Sequence, residues 1–440
     1  MKIKPARRLS GRCHLPGDKS ISHRAALIAA LATGTSNISN FSTSEDCAAT
    51  LSCLEALGVS IERQANRITV EGKGLRGLSQ PLRPLACGNS GTTMRLLAGL
   101  LAAQDFSTTL TGDDSLNRRP MKRIIEPLER MGAQIFSHDG HAPLGITGKV
   151  LLEPISYQLP VPSAQVKSCV LLAGLYANGR TEIVERHGLT RDHTERMLQW
   201  FGASVEIAKA NNDYQAKTCA VTGPASFSAR DVSVPGDFSA AAFFIAAAVL
   251  LEKSETEIEH VGLNPTRTRL LDILRALGAQ IDVAPKREAS NEPVGGILVS
   301  GSNLRETAES ELSLTISGPL SAALIDELPL LAVIGSQLPA GLVIRDAREL
   351  RFKETDRIAA TAKNLKTMGA AVEEFEDGLH VLGGAHLKGA TLESFGDHRV
   401  AMAFSVAALL AEGESEIAGS ECVSVSFPNF FEVLESLVER

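Results

Sequence analysis

The stretch FSAAAFFIAAAVLL, Phe238–Leu251, decides the fold. A helix that is apolar nearly all round has no face for water and must be covered on every side. Its unbroken apolar run, Ala240–Leu251, falls well short of the ~20 residues that cross a bilayer, so the cover is protein. Five more helix candidates share the pattern: ISHRAALIAALATG from Ile21, TTMRLLAGLLAA from Thr92, AQVKSCVLLAGLYANG from Ala164, DELPLLAVIGSQL from Asp326 and DHRVAMAFSVAALLAEG from Asp397. In chain order the six starts lie 71, 72, 74, 88 and 71 residues apart. Such a period marks a repeat architecture, here six units of about 73 residues.

Five units carry a second, amphipathic helix that closes on one signature: LEALGVSI at Leu54, LERMGAQI at Leu128, LQWFGASV at Leu198, LRALGAQI at Leu274 and LKTMGAAV at Leu365. The Gly in each (Gly58, Gly132, Gly202, Gly278, Gly369) fits the left-handed position that ends a helix, and a strand pattern follows. The sixth, FFEVLESLVER, has no such Gly. Strand patterns such as STTLTG and RTEIVE separate the two helices, and a strand pair follows the Gly, with a D-G turn at Asp377-Gly378. The unit reads helix, strand, helix, strand, strand. Three units per domain predict an α/β protein of two similar domains in which sheets enclose buried helices, the inverse of the usual layering.

A punctuation mark recurs half a chain apart: LPGDKS at Leu15–Ser20 and VPGDFS at Val234–Ser239. Pro-Gly makes a turn and Asp or Ser caps the helix that follows. The two copies place the crossovers near 15–18 and 234–237, so that 15–234 forms one globular domain and 1–14 with 235–440 forms the other. A chain of 440 residues is too long for one core and is consistent with that division.

Composition narrows the function. A net charge of −7, one Trp and three Tyr argue against a nucleic-acid binder that neutralises phosphates and stacks bases. The seven cysteines are scattered, with no C-x-x-C pair, as expected of reduced thiols in a cytosol. No apolar stretch of signal-peptide length directly follows the basic N-terminus. The expectation is a cytoplasmic monomer without membrane attachment, and HDGH at His138–His141 reads as a turn rather than a metal corner.

Basic residues crowd the starts of the apolar helices, where the positive end of the helix dipole disfavours them. They are Lys19 and Arg24, Arg95, Lys167, and His398 with Arg399. Loops add Arg118, Arg119, Arg191, Arg351, Lys353 and Arg357. Cations at corresponding points of a repeat, beside Gly-rich turns with free N–H groups, attract anions. One or two small phosphorylated or carboxylated molecules fit them best, with Arg as a bidentate clamp. Asp326 and Glu354 lie among these cations, and a carboxylate so placed can take a proton from a hydroxyl or deliver one. No G-x-S-x-G elbow, Walker A lysine or Rossmann glycine pattern competes.

The motifs LPGDKSISHRA, GNSGTTMRLLAGLL, RRPMKRI, SAQVKSCVLLAGL, RDHTERML, DELPLLAV, RFKETDRIAA and GDHRVAMAF, in this order from about Leu15 to Phe430, resemble the 5-enolpyruvylshikimate-3-phosphate synthase family. The resemblance implies two domains, each of three βαβαββ-type repeats, joined by two crossovers and closing over substrate. It implies transfer of the enolpyruvyl group of phosphoenolpyruvate to the 5-hydroxyl of shikimate 3-phosphate, with phosphate released and no metal or organic cofactor. It implies that Lys19, Ser20, Arg24, Ser163, Ala164, Gln165 and Arg191 hold shikimate 3-phosphate. Lys19 also reaches phosphoenolpyruvate, which Gly91, Arg119, Arg357 and Arg399 hold, and Asn89 is a further substrate-binding residue. Asp326 is implied as the base at the 5-hydroxyl, Lys353 lies beside it, and Glu354 moves the proton at the methylene carbon.

Three positions depart from the family pattern. Thr190 stands where many members have Ser, Leu96 replaces a frequent Pro, and Ser424 with Val425 stand where a Lys is common. Gly91 sits where a bulkier residue reduces inhibition by the phosphonate glyphosate, so the resemblance implies a glyphosate target. Two other readings remain. A UDP-N-acetylglucosamine enolpyruvyl transferase would have Asn after the first-motif Lys and a Cys in the loop where this chain has GDDSLNRRPM. A non-enzymatic clamp or scaffold built of repeats would carry Lys and Arg along its inner helices.

Overall fold

The computed structural model describes residues 1–209, 217–284, 287–304 and 314–440. All six apolar stretches are helices: Lys19–Leu31, Gly91–Leu101, Ala164–Gly174, Phe238–Leu250, Leu328–Gln337 and His398–Leu410. Every residue of Leu328–Gln337 is buried, as is every residue of Phe238–Leu250 except the last. Apolar side chains all round leave no other solution.

The chain divides into two compact units. Gly17–Pro235 with Glu288–Glu292 forms one, and Met1–Pro16, Gly236–Arg287 and Pro293–Arg440 form the other. They are called the Lys19 unit and the Asp326 unit below.

Among the described residues the Lys19 unit has three four-stranded sheets of one pattern. In one, Leu85–Ala86 runs parallel to Ser107–Thr111, which pairs antiparallel with His141–Thr147, itself paired antiparallel with Gln134–His138. Another orders Ser156–Gln158, Gly179–Glu185, Lys217–Gly223 and Val205–Lys209 in the same way. The sheet of Thr33–Ser39, Arg67–Lys73 and Ser60–Gln64 draws its parallel strand, Val232–Ser233, from the far end of the unit. These leading strands are two or three residues long, too short to show a periodicity, which is why the residue pattern alone omits them.

The Asp326 unit varies the pattern. Arg8–His14 lies parallel to Glu255–Gly262 in a six-stranded sheet, and Val438–Glu439 adds an antiparallel edge. The Phe430–Leu437 helix runs directly into that edge strand, so it needs no left-handed Gly. In the sixth repeat Lys2–Ile3 pairs antiparallel with Ser415–Ala418 where the other repeats have a hairpin strand. The five signature glycines have φ between +87° and +101°, the left-handed turn that an L side chain resists. HDGH is a hairpin turn: His138 pairs with His141, and Asp139 and Gly140 have φ of 51° and 78°. Among the described residues no helix is long and apolar enough to cross a membrane.

In the Lys19 unit the Gly91–Leu101 and Ala164–Gly174 helices pack together, and Gly99 makes the approach possible. A Cβ there would run into the Cys169 carbonyl oxygen, which is backbone and cannot turn aside. Gly99→Ala is therefore expected to lower unfolding stability by about 1–3 kcal/mol, the cost of overpacking a core. Urea denaturation reads this as an earlier midpoint, and an unchanged midpoint would contradict the packing described.

Candidate active site

Five of the six buried helices begin with side-chain caps; Leu328–Gln337 has none. Asp18 accepts from the Ile21 N–H, Ser90 from Thr93, Ser163 from Val166, and Asp397 from Arg399 and Val400. Each cap satisfies N–H groups that the helix leaves open. The predicted site residues stand beside these caps, and the two units each hold a cluster of them.

In the Lys19 unit, the Lys19 ammonium lies 2.8 Å from the Asp46 carboxylate. Arg24 is buried, and its Nε donates to Thr194 Oγ1 at 2.7 Å, its Nη1 to the Ser20 carbonyl at 2.8 Å and its Nη2 to Ser168 Oγ at 2.7 Å. Burial draws the Arg24 pKa down to about 10, partly offset by Glu195 and reinforced by the neighbouring charge of Arg191. The guanidinium is still charged at neutral pH. His23, one residue away, is buried, and burial together with Lys19 and Arg24 holds its pKa well below the usual imidazole range. It is a neutral ring among cations.

A second group gathers at Gly91. A Cβ on Gly91 would lie 2.7 Å from Arg95 Nη1 and 3.4 Å from Arg119 Nη1, so two guanidiniums flank a residue without a side chain. Arg95 donates to Gln165 at 2.5 Å, and Gln165 donates to Thr92 at 2.9 Å. Arg119 donates to Asn89 at 2.5 Å, and Asn89 donates to Asp113 at 2.7 Å. Hydroxyls join the two groups: His23 meets Thr50 at 2.7 Å, Thr50 meets Thr93 at 2.6 Å, and Thr93 donates to Ser90 at 2.7 Å. Ser163, Ala164 and Gln165, at the start of their helix, and the loop residue Arg191 are half-buried.

In the Asp326 unit, Arg357 is almost wholly buried. Its Nε donates to Asp397 at 2.7 Å, its Nη2 to Glu354 at 2.6 Å, and its Nη1 lies 3.5 Å from Asp326. Burial alone would lower its pKa, but Asp397, Glu354 and Asp326 raise it above the ordinary value. Arg399 lies 3.4 Å from the other Asp326 oxygen and donates to the Asp326 carbonyl at 3.1 Å. Lys353 has a lowered pKa, set first by burial, with Asp326 and Glu349 opposing. Asp326, Lys353, Glu354, Arg357 and Arg399 thus form one cluster.

Three cations grouped with these by sequence have other work. Lys167 is fully buried, 2.8 Å from Glu195 and 3.2 Å from Glu185. Burial would depress its pKa, and the two carboxylates reverse that and raise it. Glu185 also accepts from the Thr190 N–H and hydroxyl at 2.9 and 2.6 Å, so the triad fixes the turn that carries Arg191. Arg351 is tied to Asp356 and Glu374, and Arg118 is exposed. Ser424 is half-buried in the turn Ser420–Val425.

Sequence reading missed Asp46, which reads as an ordinary first-turn acid, and the hydroxyls of Thr194 and Ser168, which sit on other helices. It also missed what the second punctuation mark does. Ser239 donates to Glu327 at 2.5 Å and accepts from Arg267 at 2.6 Å, and Glu327 lies 3.7 Å from Arg399.

The family model described as EPSP synthase (3-phosphoshikimate 1-carboxyvinyltransferase) matches residues 3–434. The chain belongs to the EPSP synthase family. The 3-phosphoshikimate 1-carboxyvinyltransferase of Geotalea uraniireducens is 49% identical, with 99% of this chain and 98% of that one covered. That of Koribacter versatilis is also 49% identical, over 100% of this chain and 99% of that one. A solved structure of EPSP synthase from Acinetobacter baumannii is 40% identical and superposes with a TM-score of 0.84, covering 99% and 98% of the two chains. The enolpyruvyl transferase NikO of Streptomyces tendae, 19% identical with a TM-score of 0.76 over 99% and 96%, shares the fold. Family membership makes the protein an enzyme of the two-domain, inside-out α/β type that the repeats predict, and removes the scaffold reading.

The buried triad gives a test of its own. Lys167→Met leaves two carboxylates buried beside an apolar side chain, and stability is expected to fall by about 3–5 kcal/mol. Chemical denaturation measures it, and a loss below about 1 kcal/mol, the scale of a surface pair, would contradict the structural role.

Proposed function

We propose that the chain transfers the enolpyruvyl group of phosphoenolpyruvate to the 5-hydroxyl of shikimate 3-phosphate and releases phosphate, by addition and then elimination. The observation that carries this is the Asp326 cluster: two carboxylates, Asp326 and Glu354, held on one buried guanidinium, Arg357. Addition needs one group to take a proton from oxygen and another to deliver one to carbon.

Asp326 suits the first role. Its contacts to Arg357 and Arg399, at 3.5 and 3.4 Å, are long beside the 2.6 Å of Glu354. In the addition, Asp326 takes the hydroxyl proton, the oxygen bonds to C2 of phosphoenolpyruvate, and Glu354 supplies the proton that C3 gains. In the elimination, Glu354 removes a proton from C3, the double bond re-forms, and the C2–O bond to phosphate breaks, the departing phosphate gaining the proton that Asp326 gives up. A substrate anion that draws Arg357 away from Glu354 raises the proton affinity of that carboxyl, which suits it to act as the acid.

The remaining roles follow the charge. Lys19, Ser20, Arg24, Ser163, Ala164, Gln165 and Arg191 are assigned to shikimate 3-phosphate, with Lys353 beside Asp326. Lys19, Asn89, Gly91, Arg119, Arg357 and Arg399 are assigned to phosphoenolpyruvate, where fixed cations stabilise the departing phosphate. Glyphosate, a phosphonate, meets the same cations in this reading.

Phosphate should appear when the protein is mixed with shikimate 3-phosphate and phosphoenolpyruvate together. Release only with UDP-N-acetylglucosamine, or with neither acceptor, would overturn the proposal. Asp326→Ala should reduce kcat by on the order of a hundredfold or more, as expected on loss of a general base, and near-normal turnover would remove Asp326 from that role.

A further inference from the structure

The Arg24 guanidinium is held in a way that differs from that of Arg357 in the Asp326 unit. Arg357 is tied down by carboxylates. Arg24 donates to two hydroxyls and one carbonyl, all neutral. The hydroxyls belong to Ser168 and Thr194, each with no exposed surface, on two helices other than the one that carries Arg24.

The direction of each hydrogen bond in this group follows from donor and acceptor capacity. A guanidinium only donates, so both hydroxyl oxygens present lone pairs to it. Ser168 gives its single proton to the Ala164 carbonyl at 2.7 Å. The 2.6 Å contact between Ser168 and Thr194 must then be a donation from Thr194 to Ser168. Thr194 accepts from Arg24 and donates to Ser168, while Ser168 accepts from both and donates to the start of its own helix. Every hydroxyl proton points away from the cation.

The arrangement fixes Arg24 without cancelling its charge. It also commits one N–H on each of Nε, Nη1 and Nη2, which leaves one N–H on each terminal nitrogen for further donation. We propose that Thr194, backed by Ser168, is a positioning residue that orients Arg24 and thereby sets the affinity for the phosphorylated acceptor. This rests on the assignment of Arg24 to shikimate 3-phosphate. Neither hydroxyl touches substrate in this account.

The test is steady-state kinetics on Thr194→Val, Thr194→Ser and Arg24→Ala, with a melting curve for each. Valine keeps the shape and removes the acceptor. It is expected to raise KM for shikimate 3-phosphate by about tenfold or more, the scale of a lost hydrogen bond to a charged group. In the same variant kcat and KM for phosphoenolpyruvate stay within about twofold, the pattern of lost ground-state binding. Serine keeps the hydroxyl and should restore wild-type KM. A packing role would instead lower the melting temperature and leave KM unchanged, and that result would overturn the proposal. So would an equal rise in both KM values, or a serine variant as impaired as valine. If Arg24→Ala leaves KM for shikimate 3-phosphate unchanged, the assignment of Arg24 fails and the positioning role fails with it. If Arg24→Ala raises that KM and Thr194→Val does not, the positioning role alone fails.

Discussion

A helix that is apolar on all sides can meet water only at its ends. Six such helices form the cores of the two units, so the polar chemistry has nowhere to sit but the first turns and the loops beside them. That constraint explains why residues far apart in sequence, such as Arg24, Ser168 and Thr194, converge on one point. Each belongs to an early turn of a helix, and the repeats bring those turns together within a unit. It also explains the caps, because a helix start beside buried cations needs its N–H groups satisfied locally.

The cations are held in two ways, and the difference has chemical content. In the Asp326 unit Arg357 and Arg399 are held by carboxylates, so the phosphoenolpyruvate contacts proposed for them would compete with those carboxylates and couple binding to proton transfer. Arg24 in the Lys19 unit donates to neutral oxygens, which leave its charge uncancelled for the shikimate 3-phosphate proposed to bind it. Lys19 stands between the cases, paired with Asp46 at 2.8 Å with both side chains mostly buried.

Much of this was legible in the residues. The six apolar stretches and the LxxxGA-type helix ends report a repeat because burial and a left-handed turn impose local, recurring demands. The leading strands were not legible, since two residues such as Leu85–Ala86 pair through backbone groups that leave no side-chain pattern. The charge pattern at the helix starts did not separate Arg24 from Lys167, because the two glutamates that claim Lys167 lie 18 and 28 residues along the chain. The two punctuation marks diverge for a physical reason also visible only in three dimensions. Phe238 is buried in the core and Ser239 donates to Glu327, while Lys19 carries charge at the equivalent place.

If charge at the helix starts serves chemistry and the apolar helices serve the fold, the two separate at one residue. Lys19→Met keeps length and removes the charge. Its turnover is expected to fall by about a hundredfold or more, as for loss of a preorganised electrostatic contact, with a melting temperature within about 4 °C of wild type. A variant that melts normally and turns over within about tenfold of wild type would contradict it.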